Sequence, residues 1–568
     1  MDDAKRGRFN RRRFLYGASL LALAKYVPAV AYEDITDRLA GLFGDLRYQL
    51  NVSNTSWTKA RQLTINFRFS PRLEDRYYTK ANNEKIEASQ TVKINLYEVS
   101  YEERAGFLDR ADVNTPDSAA RKVKQYKLVK TATATTTPEN SFFESIKFDD
   151  LDPSKLYEYT VSDSLGRQIS GTTWAPTYRR DLEDEDEELK IVFAACQKYQ
   201  NGLFTIYEAL KKRKPDLLIH LGDWFYELPA EAKSELRDRT NLSFLSNDYY
   251  SYLMKYLQYY FDISLQRILK DVPLYACMDD HDIENSAAGN GAEADGRTLA
   301  AYSARMRVIA SPNNGMNGFN HVVQMKNKTA ALFIDTRRDR NKGSLFFDSG
   351  RTMLGEAQKK KIQEQLLKLK AQQLEGNLDR IFIVTPSPIT TGGPKDMDSW
   401  NGYKDERKEM LEFLEKLELK NVTFVSGGPH TFIMGNVHVD PDDTRSKIIA
   451  TEITIGAVTS KPSDFDNGID PATVCASKGI NGACEVIVKP GGAVEVRVFS
   501  NSPRTRDLEA KLECVLGIGD QRKTRNIGFH LVNQVDKDDD FKNEALYDSD
   551  RFILRNELLI SGEVLSRN

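Results

Sequence analysis

Past its N-terminus the chain has no apolar run near the roughly 20 residues needed to span a bilayer, so a helical membrane protein is excluded for the body of the sequence. Charge excess of either sign is also missing. Lys and Arg number 80 and Asp and Glu 83, a formal net charge of -3, without the basic footprint of a general nucleic-acid binder. No internal repeat is visible, which argues against a solenoid or propeller. Cysteine is scarce and odd in number, five in all, leaving at least one thiol unpaired or otherwise used. Cys475 and Cys484 are placed in one Gly-rich loop, where the spacing permits a local disulfide. What the chain does have is length. Its 568 residues exceed a typical single core, predicting two or more domains, and a charged fraction of 29% marks a soluble body.

The N-terminus reads as an address. Arg11, Arg12 and Arg13 precede Phe14 and Leu15, an apolar stretch runs to Ala24, and Ala29-Val30-Ala31 offers small residues for cleavage. Paired arginines followed by Phe-Leu resemble a twin-arginine (Tat) export signal over residues 1–31, implying Tat machinery as a partner and a periplasmic or secreted destination. No cysteine lies near Ala31 to carry a lipid anchor.

Residues 32–178 read as β-structure. Leu63 to Phe69 and Val92 to Tyr97 alternate apolar and polar, as half-buried strands do. Leu151-Asp152-Pro153 followed by Tyr157 has the pattern of a tyrosine corner, predicting a small fibronectin-III/Ig-like β-sandwich domain. An acidic linker, 179–188, separates it from a region of alternating strands and helices over 189–503, which predicts an α/β sandwich. Residues 504–568 form a mixed, charged segment, a candidate cover for the site.

Chemistry gathers where apolar strands end. Ile191 to Ala195 runs into Cys196-Gln197; Leu217 to Leu221 runs into Gly222-Asp223, with Tyr226 three residues on. Leu274 to Met278 ends in Asp279-Asp280-His281-Asp282, and Val422 to Ser426 ends in Gly427-Gly428-Pro429-His430. Open α/β sheets present functional groups at these carboxyl ends. Four ionisable groups straight after a buried strand are costly unless a metal or substrate neutralises them. His220 and His438 lie within strands and read as satisfied polar groups, Cys277 reads as core, and His321 and His530 have no supporting context.

Together these segments resemble the alkaline phosphatase D family of metallophosphoesterases across most of the chain. The matching residues are Ala195-Cys196-Gln197, His220 to Glu227, Asp279 to Asp282, Ile334-Asp335-Thr336-Arg337, Trp400-Asn401-Gly402-Tyr403 and Ser426 to His430. The resemblance implies a metallophosphoesterase-type α/β sandwich and hydrolysis of phosphomonoesters or phosphodiesters by metal-activated water. It implies Fe3+ held by Cys196, Asp223, Tyr226 and His430, and Ca2+ shared by Asp223 and Asp280. By the same resemblance His281 protonates the leaving oxygen or binds phosphate, and Arg337 clamps phosphate.

Two positions depart from the family pattern, Asn401 in place of the usual Asp being the milder. At the other, the family's Ser-Gly-Asp-Val-His is Ser426-Gly427-Gly428-Pro429-His430 here, so a carboxylate is missing at 428. Either another carboxylate such as Asp279 or Asp282 takes over, or the second cation is held weakly; the constraint of Pro429 on the backbone favours the weak site. Two other functions compete: a catalytically weak or inactive phosphate-ester or metal-binding homologue, and a phospholipase D-like enzyme.

Overall fold

The structure is a computed structural model. It describes residues 50–71, 77–78, 85–86, 88–104, 121–179, 188–228, 245–290, 294–309, 321–341, 351–390, 396–463, 472–477 and 480–500, with five short strand segments after residue 510. The signal-like N-terminus and most of the acidic linker lie outside the described residues.

The first unit comprises β1 (Val52–Lys59), β2 (Gln62–Arg68), the short pair β3 (Tyr77–Tyr78) and β4 (Lys85–Ile86), β5 (Gln90–Arg104), β6 (Arg121–Thr136), β7 (Phe143–Phe148), β8 (Leu156–Ser162) and β9 (Gln168–Trp174). Two antiparallel sheets result, ordered β1-β2-β7 and β6-β5-β8-β9. The period of two along each strand sends Leu63, Ile65 and Phe67 from one sheet, and Val92, Ile94, Leu96, Tyr159 and Val161 from the other, into one core. Tyr157 Oη lies 3.0 Å from the carbonyl of Asp152 and 2.9 Å from its N–H, donating to the first and accepting from the second. The Leu-x-Pro turn is thereby tied to its own strand.

The second unit opens with β10 (Leu189–Ala194), α1 (Ile206–Lys212), β11 (Leu217–His220), α2 (Tyr249–Tyr259), α3 (Ile263–Asp271), β12 (Leu274–Ala276) and α4 (Gly296–Val308). It continues with β13 (Val322–Met325), β14 (Thr329–Phe333), α5 (Gly355–Leu374), β15 (Arg380–Thr385), α6 (Lys404–Leu417) and β16 (Val422–Ser426). Then follow β17 (Ile433–His438), β18 (Ile448–Thr454), β19 (Thr473–Ser477), β20 (Gly482–Val488), β21 (Val494–Ser500), β22 (Lys511–Ile518), β23 (Phe529–Leu531) and β24 (Phe552–Leu554). One sheet runs β12-β11-β10-β20-β21-β22-β23 and the other β13-β14-β15-β16-β18-β17-β19-β24. Strands after residue 503 therefore extend both sheets. Helices open on side-chain caps where the sequence supplies Asp: Asp248, Asp262 and Asp295 each accept a first-turn N–H of their helix.

These strands are nearly all apolar because both faces are covered. Ile191 and Phe193 of β10, Ile219 of β11 and Tyr275 of β12 meet Phe333, Phe382, Val384 and Val425 of the second sheet. Their alternates Val192, Ala194 and Leu218 face α1 to α4, while Leu332, Ile381, Ile383 and Phe424 pack under α5 and α6. The result is a helix–sheet–sheet–helix sandwich, each buried Leu, Ile, Val or Phe contributing about 1.5–3 kcal/mol. One placement is corrected. Cys475 sits on β19 and Cys484 on β20, strands of different sheets whose own pairing fixes them, and not in one loop.

The first unit is joined to the second by buried hydrogen bonds. Asn54 Nδ2 donates to Tyr260 Oη at 2.9 Å and to the Val308 carbonyl at 2.8 Å, and Tyr275 Oη donates to the Trp57 carbonyl at 2.9 Å. The parallel strands β10, β11, β12, β14, β15 and β16 send their carboxyl ends to one edge, where the candidate site lies.

Candidate metal centre

Within two to four residues of each strand end the chain turns through the left-handed region. Cys196, Asp223 and His430 have φ of 55°, 53° and 58°. A non-glycine residue there costs of order 1 kcal/mol or more, and such strain concentrates at functional sites. Gly222 has φ 113°, and a Cβ there would stand 2.5 Å from Asp279 Cβ, so both conformation and space demand glycine. The turn lets Asp223 rise beside Cys196, whose N–H donates to the Gly222 carbonyl at 3.2 Å.

Ligand atoms of Cys196, Asp223 and His430 lie within 4.8 Å of one another, and so do those of Asp223, Asp280 and His281. Asp223 belongs to both sets. In the first, Tyr226 Oη is 3.0 Å from Asp223 Oδ2 and 3.1 Å from His430 Nε2, and Ser460 Oγ donates to it at 2.6 Å. His430 Nδ1 is 3.0 Å from the Lys461 carbonyl, which can only accept; Nδ1 therefore carries the proton and Nε2 presents its lone pair inward. Burial, then the charge of Asp223, pushes both the Cys196 thiol and the Tyr226 phenol far above their usual values. No Lys or Arg among the described residues forms an ion pair with Asp223. Four buried or half-buried anion-forming or lone-pair donors, with Lys198 Nζ 5.6 Å from the Tyr226 ring centre and no Lys or Arg ion-paired with Asp223, are the donor chemistry of a cation site.

The second set is different. His281 Nδ1 is 2.8 Å from Glu227 Oε2, its backbone N–H donates to Asp223 Oδ1 at 3.3 Å, and its ring lies 4.1 Å from that of Tyr226. Burial opposes the imidazolium, but Asp223, Glu227 and Asp280 together push His281 up to about 10. For Asp280, burial opposes ionisation while Arg337 and His281 hold the carboxyl down at about 2. Arg337 is buried. Its Nε donates to Asp279 Oδ1 at 2.5 Å, and its Nη2 lies 2.7 Å from Asp398 and 3.7 Å from Asp280. Arg340 braces Asp398 from the other side at 2.8 Å.

All seven residues singled out from sequence, Cys196, Asp223, Tyr226, Asp280, His281, Arg337 and His430, thus converge on one edge. Glu227, Asp398, Arg340 and Ser460 were not anticipated there. Glu227 directly follows Tyr226 in the strand-end motif, so its proximity was available; its pairing with a histidine 54 residues away was not. Asp282 belongs to the frame of the site: its two oxygens accept the N–H groups of Trp224 at 3.0 Å and Asp279 at 2.9 Å. Asn401, in the motif position usually held by Asp, accepts from Arg407. His220 and His438 are buried and each meets a backbone partner at Nδ1, but His220 Nε2 is buried without a hydrogen-bond partner, so the expectation of a satisfied histidine holds for His438 and only half for His220.

A family model described as PhoD-like phosphatase matches residues 191–485, more than half of the chain. Alkaline phosphatase D of Bacillus subtilis (strain 168) is 29% identical over 374 residues, 61% of this chain and 63% of that protein, so the alignment spans under two thirds of the relative. A solved structure titled "Structure of PhoD" superposes with a TM-score of 0.63 over 86% of this chain and 93% of that one, at 20% identity, which shows a shared fold. With the strand-end residues gathered as described, the chain belongs to the PhoD-like phosphatase family.

Proposed function

We propose that this chain is an exported phosphoesterase that hydrolyses phosphomonoesters, phosphodiesters or both with the help of two bound cations. The observation that carries the reading is the pair of donor sets sharing Asp223. The first set, thiolate, phenolate, carboxylate and imidazole, suits Fe3+ on Cys196, Asp223, Tyr226 and His430. The second, built on the carboxylates of Asp223 and Asp280, suits Ca2+. When bound, such a pair would polarise a phosphoryl oxygen and lower the pKa of a water for in-line attack.

The chain's own residues do the rest. Glu227 fixes the His281 ring through Nδ1, leaving Nε2 to donate a proton to the departing oxygen. Arg337 balances Asp279 and Asp280, and its Nη2, bonded to the partly exposed Asp398, is the donor for which a substrate phosphate would compete. Residues 32–178 are read as a fibronectin-III/Ig-like sandwich, supported by two antiparallel sheets around one core. Export through the Tat machinery to the periplasm or the medium is read from Arg11-Arg12-Arg13-Phe14-Leu15; Arg11→Lys with Arg12→Lys should strand the precursor in the cytoplasm.

The direct test is hydrolysis of p-nitrophenyl phosphate and bis-p-nitrophenyl phosphate by the purified protein, before and after chelation. Turnover that chelation abolishes and cations restore is expected. Absence of turnover by the metal-loaded protein on both esters would sink the reading in favour of a weak homologue. Choline release from phosphatidylcholine would instead favour a phospholipase D-like enzyme.

A further inference from the structure

Arg337 and Arg340 follow β14 and meet on a single carboxylate, that of Asp398 in the loop before α6. Arg337 Nη2 lies 2.7 Å from Asp398 Oδ2 and Arg340 Nη1 lies 2.8 Å from Oδ1. Arg340 Nη1 also donates to the Asp398 carbonyl at 2.9 Å. A carboxylate gripped through both oxygens by two guanidinium groups has the donor pattern that phosphate takes. The three partners differ in depth: the side chains of Arg337 and Arg340 are 3% and 1% exposed, that of Asp398 38%.

Neither arginine depends on Asp398 for its place. Arg337 Nε donates to Asp279 Oδ1 at 2.5 Å and Nη1 to the Ala287 carbonyl at 3.4 Å. Arg340 Nε donates to the Thr336 carbonyl at 2.7 Å and Nη2 to Ser387 Oγ at 2.9 Å. With Asp398 swung out to solvent, both guanidinium groups would stay aimed at the same point. Buried cations deprived of that anion are costly until another takes its place. The seat adjoins the second donor set, because Arg337 Nη2 is also 3.7 Å from Asp280 Oδ1. Charge decides what replaces Asp398 best. A carboxylate and a phosphodiester each bring one negative charge, so their exchange gains little, whereas a phosphate monoester brings about two near pH 7.

We propose that Asp398 is an exchangeable occupant of an anion seat built by Arg337 and Arg340, and that a dianionic phosphate group displaces it. The group is inorganic phosphate or the phosphoryl group of a monoester. The proposal rests on the phosphoesterase reading above and deepens it, favouring monoesters over diesters at this seat. An internal competitor lowers apparent affinity by the fraction of time the seat is open. Weakening that competitor should therefore tighten phosphate binding, where a merely bracing Asp398 would loosen it on removal.

The test is calorimetric titration of inorganic phosphate into the purified, metal-loaded protein, with folding followed by circular dichroism. Asp398→Asn should tighten phosphate binding roughly fivefold or more. Arg340→Gln should weaken it roughly tenfold or more, alone and in the Asp398→Asn background. Looser or unchanged binding in folded Asp398→Asn would overturn the proposal. A measurement on the wild type decides the matter even if that variant fails to fold. The Asp398 N–H is bonded to Asp396 Oδ1 at 3.1 Å, and saturating phosphate should speed hydrogen exchange across residues 396–399 as Asp398 leaves. Slower or unchanged exchange there would overturn the proposal. Kinetics test the substrate class: Arg340→Gln should raise KM for p-nitrophenyl phosphate roughly tenfold and for bis-p-nitrophenyl phosphate less than about threefold. Equal rises would overturn the monoester preference. Turnover of these esters without the change at Asp398 would sink this proposal and leave the phosphoesterase reading standing. Phosphate binding as described, without turnover, would keep the seat and remove that reading.

Discussion

The two halves of the centre solve the same electrostatic problem in opposite ways. Around Cys196, Tyr226 and His430 the protein packs a thiol, a phenol and the Asp223 carboxylate with Lys198 over the Tyr226 ring but no Arg or Lys ion-paired with Asp223 among the described residues. Around Asp280 it supplies Arg337, Arg340 and His281, and the carboxylates are balanced from within. In the function proposed above, a bound cation would release the protons of Cys196 and Tyr226 in the first half, and in the second His281, held by Glu227, would serve as the acid. Asp223 is the joint between them.

The largest effect should come from breaking that joint. Asp223→Asn removes the shared ligand, so both cations should be lost and turnover should fall on the order of a thousand-fold or more. Metal analysis beside a phosphodiester assay checks this. A variant that keeps both cations and its rate would make the two halves independent.

His281→Ala strikes only the second half. Its loss of rate should reach roughly 10²–10⁴-fold with alkyl esters and be far smaller with nitrophenyl esters, whose leaving group departs unaided. Glu227→Gln should follow the same pattern at roughly 10-fold, the scale of an orienting partner. Equal losses on both substrate types would make His281 a phosphate ligand.

The halves should also differ in the pH dependence of metal uptake. The first half gives up protons from groups whose values are raised, so its apparent affinity should climb about tenfold per pH unit for each proton released. The second half, with Asp280 held at about 2, should change little above neutral pH. Iron and Ca2+ uptake by metal-free protein between pH 6 and 9 compares them. Parallel curves would erase the distinction.

The smallest effect is on stability. His220 is buried against Trp224, and burial, then Arg305, holds it down at about 3. Its folded value lies below the unfolded one, so stability is complete above about 6.5 and lost as pH falls toward about 3, by up to about 5 kcal/mol. Urea unfolding at pH 7 and 4.5 should show His220→Asn to be less acid-sensitive than the wild type.

Much of this was legible in the sequence because burial writes itself plainly there. Strands covered on both faces read as unbroken apolar runs, and the residues that interrupt them, Cys196, Gly222-Asp223, Asp279-Asp280 and Gly428, stand where the chain leaves the sheet. Hidden were the features made by distant pairing. Arg337 reads as a phosphate clamp, yet Asp279 and Asp398 already engage it from 58 residues upstream and from a separate loop. Cys475 and Cys484 look like loop neighbours, but antiparallel pairing deals them to different sheets.

The central claim is that the first half exists to hold a trivalent cation on thiolate and phenolate. Its most direct test is the visible spectrum and iron content of the purified protein, measured with and without Tyr226→Phe. The account predicts stoichiometric iron and a charge-transfer band that shifts or bleaches in the variant. A colourless, iron-free protein with full phosphoesterase activity would contradict it.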